Sequence, residues 1–387
     1  MIKLIKNADV YAPEHLGVRD ILICGEKISA VGENLDVKAS EGIIEVVDLH
    51  GAAIGPGYID GHVHITGGGG EQGPGSRVPE SKVSEIVSCG VTTVLALLGT
   101  DCISRSLENV LAKSRALTED GISVYMLTGS YRVPSPTLTG SVMRDIVLID
   151  KVIGVKVAYS DHRCSVPTVE ELARLFSEAR VGGMVGGKSG LTVIHMGRGA
   201  VGTAGLVKAA EMSDVSLDKI LPTHCGRNER TFEDAVSYSK KGGNFDLTAD
   251  APVDAAQNGG AARWVAKALE LGVDISQITI SSDGYGSQPV FNEKMECIGM
   301  TYSRCNTVHD EFCRMVKNEQ IPMETALKTI TSNVAERMSL TGQKGVIAPG
   351  ADADFVVWDE ELQISKVYAR GKLAYADGKP ILKGRFE

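Results

Sequence analysis

Six residues spread from position 62 to position 283 are good ligands for a divalent cation: His62, His64, Lys156, His195, His224 and Asp283. His62 and His64 stand two apart within YIDGHVHI, so a strand there would point both side chains to one face. His195 closes LTVIHM, His224 closes KILPTHC and Asp283 closes ITISSD. Imidazole nitrogen and carboxylate oxygen suit zinc or another borderline divalent ion. A lone histidine at a strand end is more often structural or solvated, so the weight lies in the set. Four histidines and one aspartate exceed the needs of one tetrahedral site, which points to two metals. Two cations about 3.5–4 Å apart need a bridging anion. Lys156 is the candidate: it lies mid-strand in GVKVAYS, on the inward face between two valines. An ammonium there would be desolvated and repelled by the metals, so its pKa should fall. The neutral amine can then take up CO2 as a carbamate, chemically a carboxylate. Taken alone, Lys156 reads more readily as a snorkelling or salt-bridged lysine; its five companions favour the carbamate.

Such a set works only if the fold gathers it. Between about Gly57 and Lys344, short β-branched runs alternate with helical patterns: YIDGHVHI, VTTVLALLG, SVYMLTGSY, VIGVKVAYSD, LTVIHMG, KILPTHC, GNFDLTAD and QITISSDG are the strand candidates. Thr168 and Glu171 open ELARLFSEAR as a capping box. Eight β/α alternations over roughly 290 residues predict a (β/α)8 TIM barrel, which collects the C-terminal strand ends on one rim; a doubly wound sheet is the alternative. Both ends of the chain read as strands, LIKNADVY, RDILICG and KISAVG at the start, ADFVVWD, ISKVYARG, KLAYADG and KPILKG at the finish. Neither end alone has enough strands to bury a face. The expected organisation is therefore an α/β chain with a barrel at 57–345 and a small discontinuous β-sandwich domain from 1–56 and 346–387.

Bulk properties narrow the partners. With 387 residues and 43% hydrophobic content, the chain can bury a large core. A net charge of -9 without a Lys/Arg stripe argues against nucleic acid and anionic membranes. The eight cysteines are scattered without a C-x-x-C pair, the opening MIKLIKNADVYAPE lacks an apolar leader, and no stretch is long and apolar enough to span a membrane. A cytoplasmic location is the expectation.

The motifs also resemble a known family. GPGYIDGHVH is similar to the first-strand signature of the amidohydrolase superfamily, and GVIAPGADADFVVWD to its closing motif. HVHITGGGGEQGP, VTTVLALLGTD, MLTGSYRVPS, VIGVKVAYSDHR, THCGRN and SSDGYGSQP together resemble the isoaspartyl dipeptidase (β-aspartyl peptidase) branch across essentially the whole chain. The resemblance implies two Zn2+ per subunit (other divalent metals being compatible), a CO2-derived carbamate on Lys156, a dipeptide substrate and a homo-oligomer, with an octamer as the candidate assembly. It assigns Glu71 to the substrate's amino group, Arg163 and Arg227 to its carboxylates, and Thr100, Tyr131 and Ser287 to further contacts. The charges suit an isoaspartyl dipeptide, since arginine forks match carboxylates. The chemistry expected is hydrolysis of the β-aspartyl amide by a bridging hydroxide, with Tyr131 facing the oxyanion and Asp283 moving the proton. One departure stands out: Cys225-Gly226 occupies the place of an expected Val-Asn.

Two other readings share these residues. A cyclic-amide hydrolase of the dihydroorotase or hydantoinase kind would use the same ligands, and a non-catalytic scaffold would keep the fold; Glu71 with two arginines favours a zwitterionic dipeptide over the first, and the intact ligand set disfavours the second. Gly182 to Ser189 fits the G-x-x-x-x-G-K-[ST] phosphate-loop pattern, but a helix precedes it and a strand follows, the reverse of the working order. Gly67 to Gly70 reads as a flexible loop carrying Glu71. His15, His50, His162 and His309 fall outside the ligand set.

Overall fold

The computed structural model describes residues 2–38, 42–249, 260–291 and 297–387. Six strands, Tyr58–Val63, Val91–Ala96, Ser123–Gly129, Val152–Tyr159, Leu191–Met196 and Ile220–Thr223, pair in chain order, each parallel to the next. Phe245–Thr248 and Ile278–Ser281 form a further parallel pair. The seventh strand candidate ran on to Asp250, which lies outside the described residues. Strands such as Val152–Tyr159 and Leu191–Met196 are buried along their whole length, as expected where helices cover one face and side chains fill the other. The sheet curls. Cys225 N donates to Asp246 O at 3.1 Å and His64 N to Gly284 O at 2.8 Å, so backbone bonds link the two-stranded pair to both edges of the larger sheet.

The helices between strands carry their expected signals. Val169–Gly186 opens on the capping box: Glu171 N donates to Thr168 Oγ1 at 3.2 Å and Thr168 N to the Glu171 carboxylate at 2.8 Å. The phosphate-loop pattern dissolves here, because Gly182–Gly186 lie inside this helix and Gly187 caps its C-terminus in the left-handed region, at φ 63°. Lys188 is spent on the carbonyls of Ile146, Ile149 and Val152. No described helix is long and apolar enough to cross a membrane.

Strands from both ends share one nine-stranded sheet. Its order runs Lys379–Pro380, Lys372–Ala376, Ile364–Ala369, Phe355–Trp358, Ala53–Pro56, Ile2–Tyr11, His15–Cys24, Lys27–Gly32, with Ile44–Asp48 also paired to Ile2–Tyr11. Ala53–Pro56 sits between the two ends of the chain, parallel to the first strand and antiparallel to Phe355–Trp358. Ile5, Val10, Ile21, Ile54, Phe355 and Val357 belong to one apolar cluster on this sheet.

A buried polar chain ties this sheet to the parallel one. Trp358 Nε1 donates to Tyr58 Oη at 2.9 Å, and Tyr58 Oη lies 2.9 Å from His309 Nδ1. Tyr58 Oη accepts from the indole and has its own proton to give to a neutral Nδ1. Burial pushes His309 down to about 4. Because the folded pKa is depressed, the stability from neutral His309 is present above its unfolded value near 6.5 and lost as pH falls toward 4. We expect this group to cost about 3 kcal/mol between pH 7 and pH 4. Urea unfolding of His309→Gln and wild type should show the gap between them narrowing by most of that amount over this range; a constant gap would reject the assignment.

Candidate metal centre

All six ligand candidates converge at the C-terminal ends of the parallel strands. His62 and His195 sit on their strands, while His64, His224 and Asp283 fall one or two residues beyond. This small departure from the sequence expectation has a local cause. His224 and Asp283 adopt φ values of 65° and 53°, a left-handed conformation that ends a strand and is sparsely populated by non-glycine residues. Lys156 is completely buried on the fourth strand.

The geometry divides into two adjoining groups. His62, His64 and Asp283 offer ligand atoms within 4.8 Å of one another, with Asp283 Oδ1 at 3.1 Å from His64 Nε2 and 3.5 Å from His62 Nε2. The His195 and His224 rings lie 4.5 Å apart, and His224 is 5.0 Å from the His62 ring. Lys156 Nζ stands 2.9 Å from His62 Nε2.

Electrostatics prepare these groups for a cation. Burial holds His62, His195 and His224 well below the usual imidazole range, so they are neutral donors of lone pairs. Burial also brings Lys156 down to about 7, against the pull of Asp283 and Asp246. For Asp283 burial works against the charge, but the His64 contact and the neighbouring His62, His64 and Lys156 outweigh it and keep the carboxyl below its ordinary range. Among the described histidines, His224 has a buried nitrogen without a partner: Nδ1 is taken by Thr248 Oγ1 at 2.6 Å, and Nε2 has none. An unpartnered buried nitrogen among neutral imidazoles fits a metal ligand, since such groups are otherwise costly. The donor set of His62, His64 and Asp283 fits a borderline divalent ion.

Above this cluster the substrate candidates also gather. Glu71 is carried by the loop at Gly67 to Gly70, where a Cβ on Gly67 would fall 2.0 Å from Val78 O. Its carboxylate accepts from Thr100 Oγ1 at 3.2 Å and Ser287 Oγ at 2.9 Å, and pairs with Arg163 Nη1 at 3.5 Å. Tyr131 Oη is 2.6 Å from His195 Nδ1. Arg227 Nε is buried without a hydrogen-bond partner, and no ion pair joins Arg227 to an acidic side chain among the described residues. The other histidines stay apart: His162 is exposed, His15 pairs with Asp9 and stacks on Tyr11, and His50 is at the surface.

Two residues at this rim carry no motif of their own and escape a reading of strand ends. Asp161 lies inside VAYSDHR, and its carboxylate joins Arg163 to His195. Thr248 closes the seventh strand and occupies His224 Nδ1. The only sequence signal for either was a polar side chain at a strand end. The Cys225-Gly226 departure is also explained locally. Cys225 is buried in the core, and a Cβ on Gly226 would lie 2.7 Å from Trp264 Cδ1, so this chain's tryptophan fills the space beside Gly226.

Across known structures, the chain is similar to a β-aspartyl dipeptidase from Fervidobacterium islandicum AW-1, solved in complex with a β-Asp-Leu dipeptide, with 42% identity, a TM-score of 0.90 and 98% of each chain covered. The chain belongs to the β-aspartyl dipeptidase family. Residues 302–381 match the Amidohydrolase family profile, which sets that family within the amidohydrolase superfamily. A dihydropyrimidinase from Brevibacillus agri NCHU1002, at 16% identity and TM-score 0.69 over 99% of this chain and 97% of that one, shares the fold. Among curated relatives, a dihydroorotase from Staphylococcus epidermidis is 31% identical over 118 residues, 30% of this chain and 27% of that protein. The chain thus matches only about a quarter of that relative's length.

Proposed function

We propose that this chain hydrolyses the β-aspartyl amide bond of isoaspartyl dipeptides with two divalent metals, zinc in the first place. The eight parallel strands are read as a closed (β/α)8 barrel over 57–345, and the shared terminal sheet as a small β-sandwich domain of 1–56 and 346–387. One observation carries the functional reading. An anion and a guanidinium, Glu71 and Arg163, stand 3.5 Å apart beside the histidine–aspartate cluster, in a chain 42% identical to one that holds β-Asp-Leu.

His62, His64, His195, His224, Asp283 and carbamylated Lys156 would hold the metals. When bound, the pair supplies Lewis acidity and lowers the pKa of water toward about 7. The chain's own residues do the rest. Glu71 binds the substrate ammonium, while Arg163 and Arg227 bind the two carboxylates. Tyr131, kept protonated by burial, donates from Oη to the oxygen that gains charge as water adds to the amide carbon. Asp283 Oδ2, the oxygen not engaged by the two histidines, takes the water's proton and delivers it to the leaving nitrogen as the C–N bond breaks. The products are aspartate and the free second amino acid.

The deciding experiment is a turnover screen of β-Asp-Leu, α-Asp-Leu and dihydroorotate with metal analysis on the same sample. Turnover of β-Asp-Leu alone, with about two metals per chain, is the expected result. Preference for dihydroorotate would favour the cyclic-amide reading suggested by the partial dihydroorotase match, and a metal-free, inert protein would favour a scaffold. Arg227→Met should lower kcat/KM for β-Asp-Leu by about 10–100-fold, mostly through KM, as expected for a lost charge-assisted pair; an unchanged kcat/KM would remove Arg227 from carboxylate recognition. A homo-oligomer, an octamer by family pattern, and a cytoplasmic location complete the proposal; the seven unpaired cysteines whose side chains are described support a reducing compartment.

A further inference from the structure

We infer that Asp161 is a positioning residue with two tasks: it sets which nitrogen His195 offers to a metal, and it holds the Arg163 guanidinium in place. The inference rests on the reading of His195 as a ligand and Arg163 as a substrate contact.

Asp161 lies just past the fourth strand, after Ser160 turns the backbone through φ 54°. Its side chain is only 3% exposed, and both oxygens are engaged. Oδ1 accepts from Arg163 backbone N at 2.7 Å and from Nε at 3.0 Å. Oδ2 accepts from Arg163 Nη2 at 3.2 Å and faces His195 Nε2 at 3.1 Å. The two side chains therefore meet as a two-pronged ion pair, with the histidine on the same carboxylate.

The contacts around His195 favour one tautomer. Arg163 Nη2 is 3.0 Å from this nitrogen as well, and a guanidinium can only donate. A bare Nε2 would serve the arginine but set its lone pair against a buried carboxylate oxygen. A protonated Nε2 donates to Asp161, and Arg163 Nη2 still has Oδ2. The second arrangement gives the ring N–H an acceptor and keeps Arg163 on the same carboxylate, at the cost of one approach of two donors at 3.0 Å. It leaves the lone pair on Nδ1, where Tyr131 Oη sits at 2.6 Å and donates. Nδ1 is thus the atom His195 presents to a cation, and the carboxylate behind the opposite N–H fixes the ring and raises its basicity. The same carboxylate clamps Arg163 beside Glu71, so a metal ligand and a substrate-reading group share one support.

The test is Asp161→Asn, whose amide has one accepting oxygen in place of two. Imidazole 15N NMR of the metal-free protein should show His195 as the Nε2–H form in wild type and a mixture in the variant. Zinc affinity, measured by competition with a chelator, should weaken about 10–100-fold. At saturating zinc, KM for β-Asp-Leu should rise more than kcat falls. Asp161→Glu retains the charge and should recover part of the zinc affinity; it carries the same comparison where the asparagine variant fails to fold. A variant with wild-type tautomer, zinc affinity and KM, and only a lower thermal midpoint, would overturn the inference. A wild type that binds no zinc would overturn the metal reading instead, while the tautomer ratio would still decide what Asp161 does to His195.

Discussion

Asp283→Asn should keep the fold and lose about 10²–10⁴-fold in kcat, the range for removing a positioned proton carrier. The carboxamide is nearly the same size, so packing at the end of the eighth strand is preserved. What changes is the charge and the proton affinity. The surroundings of Asp283 hold it as a carboxylate, through His64 and the neighbouring His62 and Lys156, against the opposing effect of burial. An amide there can neither take the water's proton nor neutralise a cation held by His62 and His64. The loss should fall on kcat and kcat/KM together, because the interaction develops along the reaction rather than in the bound substrate. Metal content and circular dichroism on the same sample separate this from misfolding. A well-folded, metal-loaded variant with near-normal kcat would remove Asp283 from proton transfer.

Lys156→Met should be as damaging to activity and harmless to the apo fold. The side chain is completely buried, and Met has a similar length without a charge to desolvate. The thermal midpoint of the metal-free protein should therefore stay level or rise. Bound metal should fall below two per chain, and kcat should drop about 10²–10⁴-fold, corresponding to about 3–5 kcal/mol of lost charge stabilisation. A small carboxylic acid added in excess can supply the anion that the carbamate would have provided, so partial recovery is expected with acetate. A variant holding two metals at wild-type affinity would show that Lys156 is no bridge.

How much of this is legible in the sequence depends on the range of the interaction. The strands bearing His195 and Lys156, and the Thr168–Glu171 cap, are written in local patterns of period 2 and in short-range hydrogen bonding. The curled parallel sheet followed from alternating strand and helix signals, and the shared terminal sheet from the shortage of partners at either end. Asp161 was not legible as a support, because its meaning depends on His195, which lies 34 residues away. The hairpin Ser287–Phe291 with Cys297–Tyr302 and the strands Ile44–Asp48 and Ala53–Pro56 also went unread. These are short, and they take their conformation from neighbours rather than from their own composition.

The place of Ala53–Pro56 in the terminal sheet sets an order of events during synthesis. This strand needs Phe355–Trp358 along one edge, yet about 300 residues separate the two. At about 5–20 residues per second, the ribosome takes some 15–60 seconds to deliver the missing partner. Throughout that interval the nascent chain carries an open strand edge beside Ile54, a residue that ends up fully buried. The interval places the risk of mispairing at translation, and a slower ribosome lengthens it.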